Sequence, residues 1–339
     1  MAIRLFIAVA VCALTLTACG VATGHAPGQL TLGMVTDIGG LGDNAFNDSA
    51  HKGLVRAQDQ LGAQVSVLES KSKADYTANL TKLTDQHVDM IYGIGYLMNK
   101  DLQTVAHDNP KQYYAIIDAV VPEPNVVSVT FREQDGSFLA GALAAMVSKT
   151  HHVAFIGGQD IPVMQRFEDG FVAGVHQIDP NAKVDVAYAG SFDDAAAGQK
   201  IATREFASGA DIIYTAAGKA GLGAIEAVKA RPQGDYVIGV DTDQDALAPG
   251  KVLTSMMKHV DVAVYDIAKA MKDHHPLSGH VVLGLQDQAL SLTDFHYTWG
   301  VVGPEKMARL NRLQTAIVNG RIKVPDTRAA LAQWKPSAY

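Results

Sequence analysis

Three carboxylates lie at the ends of short apolar runs in the sequence. Asp37 closes the run LTLGMVTD, Asp118 follows YYAII, and Asp241 closes DYVIGVD. An ionised carboxylate accepts hydrogen bonds through two oxygens, so it suits ligands with hydroxyl or amino groups. Neither Ser137 nor Ser255 lies in a nucleophile elbow, which leaves acyl-transfer catalysis without support. These residue types therefore favour binding over catalysis.

Two phenylalanines and a glycine lie near comparable run ends. Phe46 lies in VTDIGGLGDNAFNDSAHKGL, Phe192 follows VDVAYAGS, and Gly218 follows DIIYTAA. Glycine-rich turns between a strand and a helix often hold phosphate. Here Asp37 and Asp43 would repel phosphate, and no lysine follows at P-loop spacing. The stretch instead predicts a neutral, flat ligand that is rich in donors.

The elements that would position these residues alternate along the chain from Leu30 onward. Short, nearly continuous apolar runs separated by helical periods predict parallel sheets covered on both faces. The pattern restarts after VVSVTF, which indicates two lobes of similar topology. We expect one helix from Asp48-Ser49 to Gly62 and another from Pro304 to Gly320. Ligands bind outside the carboxyl ends of parallel strands, where the candidate residues fall.

Composition excludes several classes of protein and site. The 339-residue chain has a net charge of −7 without long charge runs, so it offers no footprint for nucleic acid. Its two cysteines, Cys12 and Cys19, both precede residue 20 and leave the folded part without a disulfide or cysteine metal site. Adjacent histidines at 151–152 and 274–275 are more typical of solvated ends than of metal ligands. We expect no metal and no cofactor.

The first thirty residues read as a secretion signal and a tether. MAIR is positively charged, LFIAVAVCALTL is apolar, and small residues follow. The apolar run is shorter than the roughly 20 residues of a membrane span. Leu16-Thr17-Ala18-Cys19-Gly20 resembles a bacterial lipobox, which predicts a signal peptide over 1–18 and lipidation of Cys19. Residues 19–30 would then form a lipidated tether; a plain signal peptide is the alternative.

Five segments resemble the basic membrane protein family of nucleoside-binding lipoproteins, the PnrA-like substrate-binding proteins of ABC transporters. They occur in the family's order between about Leu30 and Pro325: VTDIGGLGDNAFNDSAHKGL, FREQDGSFLAGALAA, AYAGSFDDAAAGQKIA, DIIYTAAGKAGLGAIEA and YVIGVDTDQDALAPGKVLTSMMKHVDVAVYDI. The resemblance implies an α/β protein of the type I periplasmic-binding-protein fold, with two Rossmann-like lobes joined by crossover hinges. The N-terminal lobe would comprise 31–131 and 255–283. The C-terminal lobe would comprise 132–254 and 284–339.

The resemblance also implies roles for the candidate residues. Phe46 and Phe192 would sandwich a purine from opposite lobes. The pair Asp37 and Asp118 would bind the base region. The ribose hydroxyls would be held by Asp241, Lys258 and the backbone of Gly218. Relatives often carry a polar residue where this chain has Ala45, so a base contact is missing or comes from Asn44 or Asn47, and base preference stays open.

Each assignment has a structural alternative. Phe46 could belong to a satellite core, and Phe192 could staple the following helix. Asp37 and Asp241 could be helix N-caps, which are common after parallel strands. Lys258 could form a surface ion pair of little energetic value.

The function implied by the resemblance is delivery of purine nucleosides to an ABC transporter from the outer face of the cell membrane. The partners would be the permease and ATPase subunits and the membrane, through the N-terminal lipid, and the protein would be a monomer. Three alternatives stay open. The same fold could hold another solute, such as a sugar or autoinducer. The chain could be a nucleoside-cleaving enzyme, or a surface regulator or adhesin without transport.

Overall fold

The computed structural model describes residues 28–339. The predicted signal peptide, Cys19 and nearly all of the tether lie outside this range. Within it, the chain forms two six-stranded sheets. The strands are β1 (Thr31–Val35), β2 (Gln64–Leu68), β3 (Met90–Ile94), β4 (Tyr113–Ile117), β5 (Val126–Phe131), β6 (His152–Gly157), β7 (Lys183–Tyr188), β8 (Ile212–Ala216), β9 (Tyr236–Asp241), β10 (Val252–Lys258), β11 (Gly279–Leu283) and β12 (Leu290–Leu292).

Helices follow most of the strands, as the alternating sequence pattern predicts. They are α1 (Phe46–Leu61), α2 (Asp75–Asp85), α3 (Asn99–Asp108), α4 (Glu133–Val147), α5 (Pro162–Ile178), α6 (Ala195–Ala207), α7 (Lys219–Lys229), α8 (Val260–Lys272), α9 (Trp299–Val318) and α10 (Arg328–Gln333). Among residues 28–339, no helix is both long enough and apolar enough to cross a membrane.

The first sheet has the strand order β11-β5-β4-β3-β1-β2, and every neighbouring pair is parallel. Helices α1, α2, α3 and α8 pack on it or on one another. We call this assembly the first lobe. Its four inner strands are almost wholly buried, because helices cover both faces.

The second sheet has the order β12-β10-β9-β8-β6-β7. All neighbours are parallel except the edge strand β12, which runs antiparallel to β10. With α4–α7, α9 and α10 it forms what we call the second lobe. The prediction of an α/β protein with two predominantly parallel sheets is confirmed.

The chain crosses between the lobes at three places. The crossovers follow β5 at Arg132, β10 at His259 and β11 at Gly284. The predicted return to the first lobe at Ser255 comes too early. Residues 255–258 complete β10, whose Ser255, Met256 and Met257 pair with β9 in the second sheet. Apolar residues on both sides of Ser255 keep the strand pairing to its end.

The crossovers are tied to one another by main-chain hydrogen bonds. Arg132 N donates to Leu283 O at 2.8 Å, and His259 N donates to Ala289 O at 2.9 Å. Ala289 N in turn donates to Gly284 O at 3.1 Å, so these hydrogen bonds link the segments around all three crossovers.

Helix α1 begins at Phe46, two residues before the predicted start at Asp48-Ser49. Asp43 explains the difference, because its carboxylate accepts hydrogen bonds from the main-chain nitrogens of Ala45, Asn47 and Asp48. These nitrogens would otherwise be unpaired at the helix start. The carboxylate thus caps α1 from outside the helix and places Phe46 at its first position.

The C-terminal helix agrees better with its sequence pattern. Helix α9 has a kink at Gly303, where φ is 63°, so its regular part begins at Pro304 as predicted. It ends at Val318, and Gly320 follows with φ of 70°. In the core of the second lobe, α4 and α5 pack closely through glycines. A Cβ at Gly174 would lie 2.0 Å from Phe138 O, so only glycine allows this approach.

Candidate functional site

The two sheets point the carboxyl ends of their strands at a common cavity between the lobes. The empty space between its lining residues totals ≈ 550 Å³, including space that is open to solvent. Seven of its lining residues are the candidates from the sequence: Asp37, Phe46, Asp118, Phe192, Gly218, Asp241 and Lys258. The structure therefore brings all seven together. Their contact with a ligand stays a prediction.

Asp37 follows β1 and is buried at one side of the cavity. Its Oδ1 accepts hydrogen bonds from Gly39 N and Asn47 Nδ2, each at 2.9 Å. Burial raises its pKa to about 6, despite these hydrogen bonds. It does not cap α1, since Asp43 has that role, so the helix-cap alternative does not hold for Asp37.

The two phenylalanine rings reach the cavity from different lobes. Phe46 opens α1 in the first lobe, and Phe192 follows β7 in the second. Both are half-buried and also pack against the core. The Phe192 ring lies against Gly158, where an added Cβ would come 2.2 Å from Phe192 Cδ1. A glycine directly after β6 thus leaves room for the Phe192 ring beside the cavity.

Lys258 ends β10 and forms an ion pair with Asp118 of the opposite lobe. Its Nζ donates to both carboxylate oxygens, at 2.7 Å to Oδ1 and 2.6 Å to Oδ2. The Lys258 side chain is only 1% exposed, so the alternative of a surface ion pair is wrong. Among residues 28–339, no hydrogen bond joins Lys258 to Asp241. Its hydrogen bonds go to Asp118 because that carboxylate faces it directly across the lobes.

Two charged residues that the sequence analysis did not select complete this ion cluster. Glu133 Oε1 lies 3.1 Å from Lys258 Nζ, and Glu133 Oε2 accepts from Arg166 Nε at 2.7 Å. Glu133 has no exposed surface. Burial favours its neutral form, but Lys258 and Arg166 outweigh burial and lower its pKa. The rule that selected Asp118 also applies to Glu133, since it follows the strand run VVSVTF closely.

Aromatic rings surround the ammonium group of Lys258. The ring centroids of Phe131, Phe46 and Phe167 lie 4.9, 5.1 and 5.5 Å from Nζ. Burial disfavours a charged amine, but the neighbouring carboxylates outweigh it and raise the pKa of Lys258. The group is therefore a cation held by carboxylates and ring faces.

Asp241 differs from Asp118 and Glu133 because no cation among residues 28–339 forms an ion pair with it. It is buried at the end of β9, and its Oδ1 has no hydrogen-bond partner among residues 28–339. Burial raises its pKa to about 8, with nearby carboxylates adding to the shift and Lys258 opposing it. A buried polar atom without a partner is costly, so this oxygen is available to accept from a ligand.

The backbone at these strand ends is unusual. Asp118 and Asp241 have φ of 71° and 65°, a left-handed conformation that is uncommon outside glycine. Gly218 has φ of 56° and precedes α7. Such conformations cluster at binding sites, because they turn a strand end toward a ligand. Asp241 is thus not a regular helix N-cap.

A family model described as ABC transporter substrate-binding protein PnrA-like matches residues 30–328. The chain belongs to this family. It is 34% identical over 334 residues to the ABC transporter nucleoside-binding protein BmpA of Lactococcus lactis subsp. cremoris, covering 90% of this chain and 91% of that protein. It is 38% identical over 319 residues to the CD4+ T-cell-stimulating antigen of Listeria monocytogenes, covering 88% of each.

A solved structure gives the same result for the fold. The solute-binding protein of an ABC transporter system from Aeropyrum pernix K1 superposes with a TM-score of 0.83 at 27% identity, covering 90% of this chain and 96% of that one. The family resemblance read from the sequence is confirmed, and the fold is that of solute-binding proteins.

In this substrate-binding protein, Asn47 is a further cavity residue. Its Nδ2 donates to Asp37 and Asp43, which leaves Oδ1 buried without a partner in the described part of the chain. Ala45 is fully buried and does not line the cavity, whereas Asn47 does. Of the two residues considered as substitutes for a polar residue at 45, the geometry thus favours Asn47.

Proposed function

We propose that this substrate-binding protein captures purine nucleosides between its lobes and delivers them to an ABC transporter. The observation that carries the proposal is the pairing of Phe46 and Phe192, from different lobes, in one cavity with unpartnered acceptor oxygens. A base stacked on aromatic rings gains roughly 1–3 kcal/mol per base. The name of the Lactococcus lactis relative, a nucleoside-binding protein, supports the same ligand class.

The polar groups of the cavity suit the two ends of a nucleoside. Asp37 and Asn47 lie on the first-lobe side and would accept from donors on the base. Asp241 and the backbone of Gly218 lie on the second-lobe side and would bind the ribose hydroxyls. Asp118 and Lys258 would contact the ligand while still paired to each other. A ligand that bridges both sides stabilises the closed arrangement.

The mechanism that we infer is a population shift. The two lobes would move as domains about the three crossovers, and ligand contacts from both would favour the closed form. The permease would then recognise that closed form. We expect a monomeric binding protein that leaves its ligand chemically unchanged, so incubation with inosine should release no free base.

We further propose that the protein is held at the outer face of the cell membrane by a lipid on Cys19. The lipobox sequence at residues 16–20 supports this anchor. Cys19→Ala should release the protein from membranes without changing nucleoside affinity, because the tether precedes β1. Membrane retention of the processed variant would contradict the anchor.

A binding panel tests the ligand class. Purified protein would be titrated by calorimetry with purine and pyrimidine nucleosides and, as competing classes, with monosaccharides. We expect heat from the purine nucleosides alone. Binding of a sugar without any nucleoside would assign the cavity to another solute and reject the proposal.

A further inference from the structure

Four alternating charges form a chain that crosses from one lobe to the other. Asp118 binds Lys258 at 2.6 and 2.7 Å, Lys258 lies 3.1 Å from Glu133, and Glu133 binds Arg166 at 2.7 Å. Asp118 belongs to the first lobe and the other three residues to the second. The two cations and two carboxylates balance each other, as burial demands.

Glu133 occupies a special place in this chain. It is the first residue of α4, directly after the crossover at Arg132, whereas Lys258 directly precedes the crossover at His259. The Glu133–Lys258 contact therefore joins two of the three connections between the lobes. Arg166 of α5 fixes the other oxygen of Glu133, so the carboxylate cannot turn away from its position without losing that hydrogen bond.

Asp241 lies near this chain of four charges but forms no ion pair with any of them. Lys258 is the cation whose charge acts on it, and the carboxylates of Asp118, Asp43 and Glu133 act on it with the opposite sign. Lys258 instead donates hydrogen bonds to Asp118 and forms an ion pair with Glu133, whereas Asp241 Oδ1 has no hydrogen-bond partner within residues 28–339. A lysine has a flexible four-carbon stem and three donors, so neighbouring carboxylates compete for its ammonium group.

We propose that Glu133 is a positioning residue that, with Arg166, holds Lys258 against Asp118 of the opposite lobe and away from Asp241. Asp241 is thereby kept unpaired and available to a ligand. The last step rests on the proposed function, whereas the competition for Lys258 does not. Without the Glu133 contact, Lys258 would turn toward Asp241 and take the place of the ligand hydroxyls.

The test follows the ionisation of Asp241 in the ligand-free protein by NMR of ¹³C-labelled aspartate carboxyls. The Asp241 signal is identified by its loss in Asp241→Asn. In the wild type we expect the titration midpoint near 8. Glu133→Gln should lower the midpoint by about 1–3 pH units, the usual effect of a newly adjacent opposite charge.

Glu133→Asp separates positioning from a direct effect of charge. This variant keeps the negative charge but shortens its reach by one methylene, so it loses contact with Lys258. Under the proposal, Glu133→Asp also lowers the titration midpoint of Asp241. The same substitution lowers that midpoint much less when Lys258→Met is present as well. The proposal would be overturned if Glu133→Gln shifts the titration midpoint of Asp241 but Glu133→Asp does not. It would also be overturned if the shift is as large with Lys258→Met as without it. If Glu133→Gln does not fold, Glu133→Asp decides alone.

Nucleoside titrations of the same variants test the functional clause. Glu133→Asp should bind purine nucleosides more weakly than the wild type, because Lys258 then competes for Asp241. If Glu133→Asp lowers the titration midpoint of Asp241 but leaves the affinity for nucleosides unchanged, the ligand part of the proposal is overturned. A wild type that binds no nucleoside would reject the proposed function and leave the NMR result standing.

Discussion

Gln244 Nε2 of the second lobe donates a hydrogen bond of 2.9 Å to the main-chain oxygen of Asn44 in the first lobe. The hydroxyl of Thr242 donates to the same oxygen. Both sides of this contact are fixed locally. Asp48 binds the main-chain nitrogen of Asn44 at 2.8 Å, and Gln244 Oε1 accepts from Val240 N at 3.1 Å. The contact joins the segments that carry Phe46 and Asp241.

Thr242→Val should therefore weaken nucleoside binding. It removes the hydroxyl but keeps the shape of the side chain, and the net value of one hydrogen bond, about 0.5–1.5 kcal/mol, corresponds to about a 2- to 12-fold loss of affinity. Thr242→Ser keeps the donor and serves as the control. Calorimetry on the three proteins decides, and equal affinity of the valine variant and the wild type would contradict a role in closure.

Phe46→Ala and Phe192→Ala should each reduce purine nucleoside affinity by roughly 1–3 kcal/mol, since each removes one stacking ring. Tyr297→Ala is the matched control, because Tyr297 is an exposed aromatic that does not line the cavity. Thermal unfolding of the variants separates binding from folding. A variant that loses stability but binds normally in its folded fraction would assign that ring to the core.

The sequence predicted which strand ends line the cavity, but not how the charges there are paired. Asp37, Asp118 and Asp241 were found because runs of apolar residues end beside them, a local pattern. The partner of Lys258 depends on how the two lobes face each other, which no local pattern in the sequence encodes. The buried ion pair of Lys258 with Asp118 was consequently not predicted.

Arg166 was missed for a related reason, whereas the strand-end rule could have selected Glu133. Arg166 lies in the second turn of an amphipathic helix, where a charged residue is normally solvated, and only the tight packing of α4 on α5 brings it to Glu133. The start of α1 was misplaced because Asp43 caps the helix from three residues before its first residue. Such contacts between separate segments have no periodic signal in the sequence.

Asp169 provides a test of stability that does not involve the ligand. It is fully buried in α5, and neither carboxylate oxygen has a partner in the described part of the chain. Burial raises the pKa of Asp169 to about 7, and the negative charge of Glu168 contributes to the increase. The pKa of an unfolded aspartate is about 3.9. The folded state thus holds this proton more tightly, and stability is lost as pH rises through about 7.

Asp169→Asn cannot ionise and should therefore raise the free energy of unfolding at pH 8, by up to about 4 kcal/mol. The gain should shrink toward pH 5, where wild-type Asp169 is protonated. Urea unfolding at several pH values measures both effects, with exposed Asp59→Asn as the control. A gain that is the same at every pH would show that ionisation of Asp169 is not its cause.

Nucleoside binding should release a proton near neutral pH. The ligand-free pKa of Asp241 is about 8, and hydroxyl donors favour the ionised form, so a bound ribose lowers that pKa. Affinity should then rise with pH up to about 8 and level off above it. Calorimetry at pH 7 in buffers of different ionisation enthalpy measures the number of protons released on binding. Asp241→Asn should abolish this release. Proton uptake on binding would contradict this assignment.

The most direct measurement compares guanosine, 2′-deoxyguanosine and guanine by calorimetry on the wild type and on Asp241→Asn. The wild type should bind guanosine most tightly, because a site built for hydroxyls leaves polar groups unpaired when they are absent. Asp241→Asn should lower the affinity for guanosine more than the affinity for 2′-deoxyguanosine, so the difference between the two affinities should become smaller. Equal affinity of the wild type for guanosine and guanine would contradict the role of Asp241, and absence of binding to all three would contradict nucleoside capture itself.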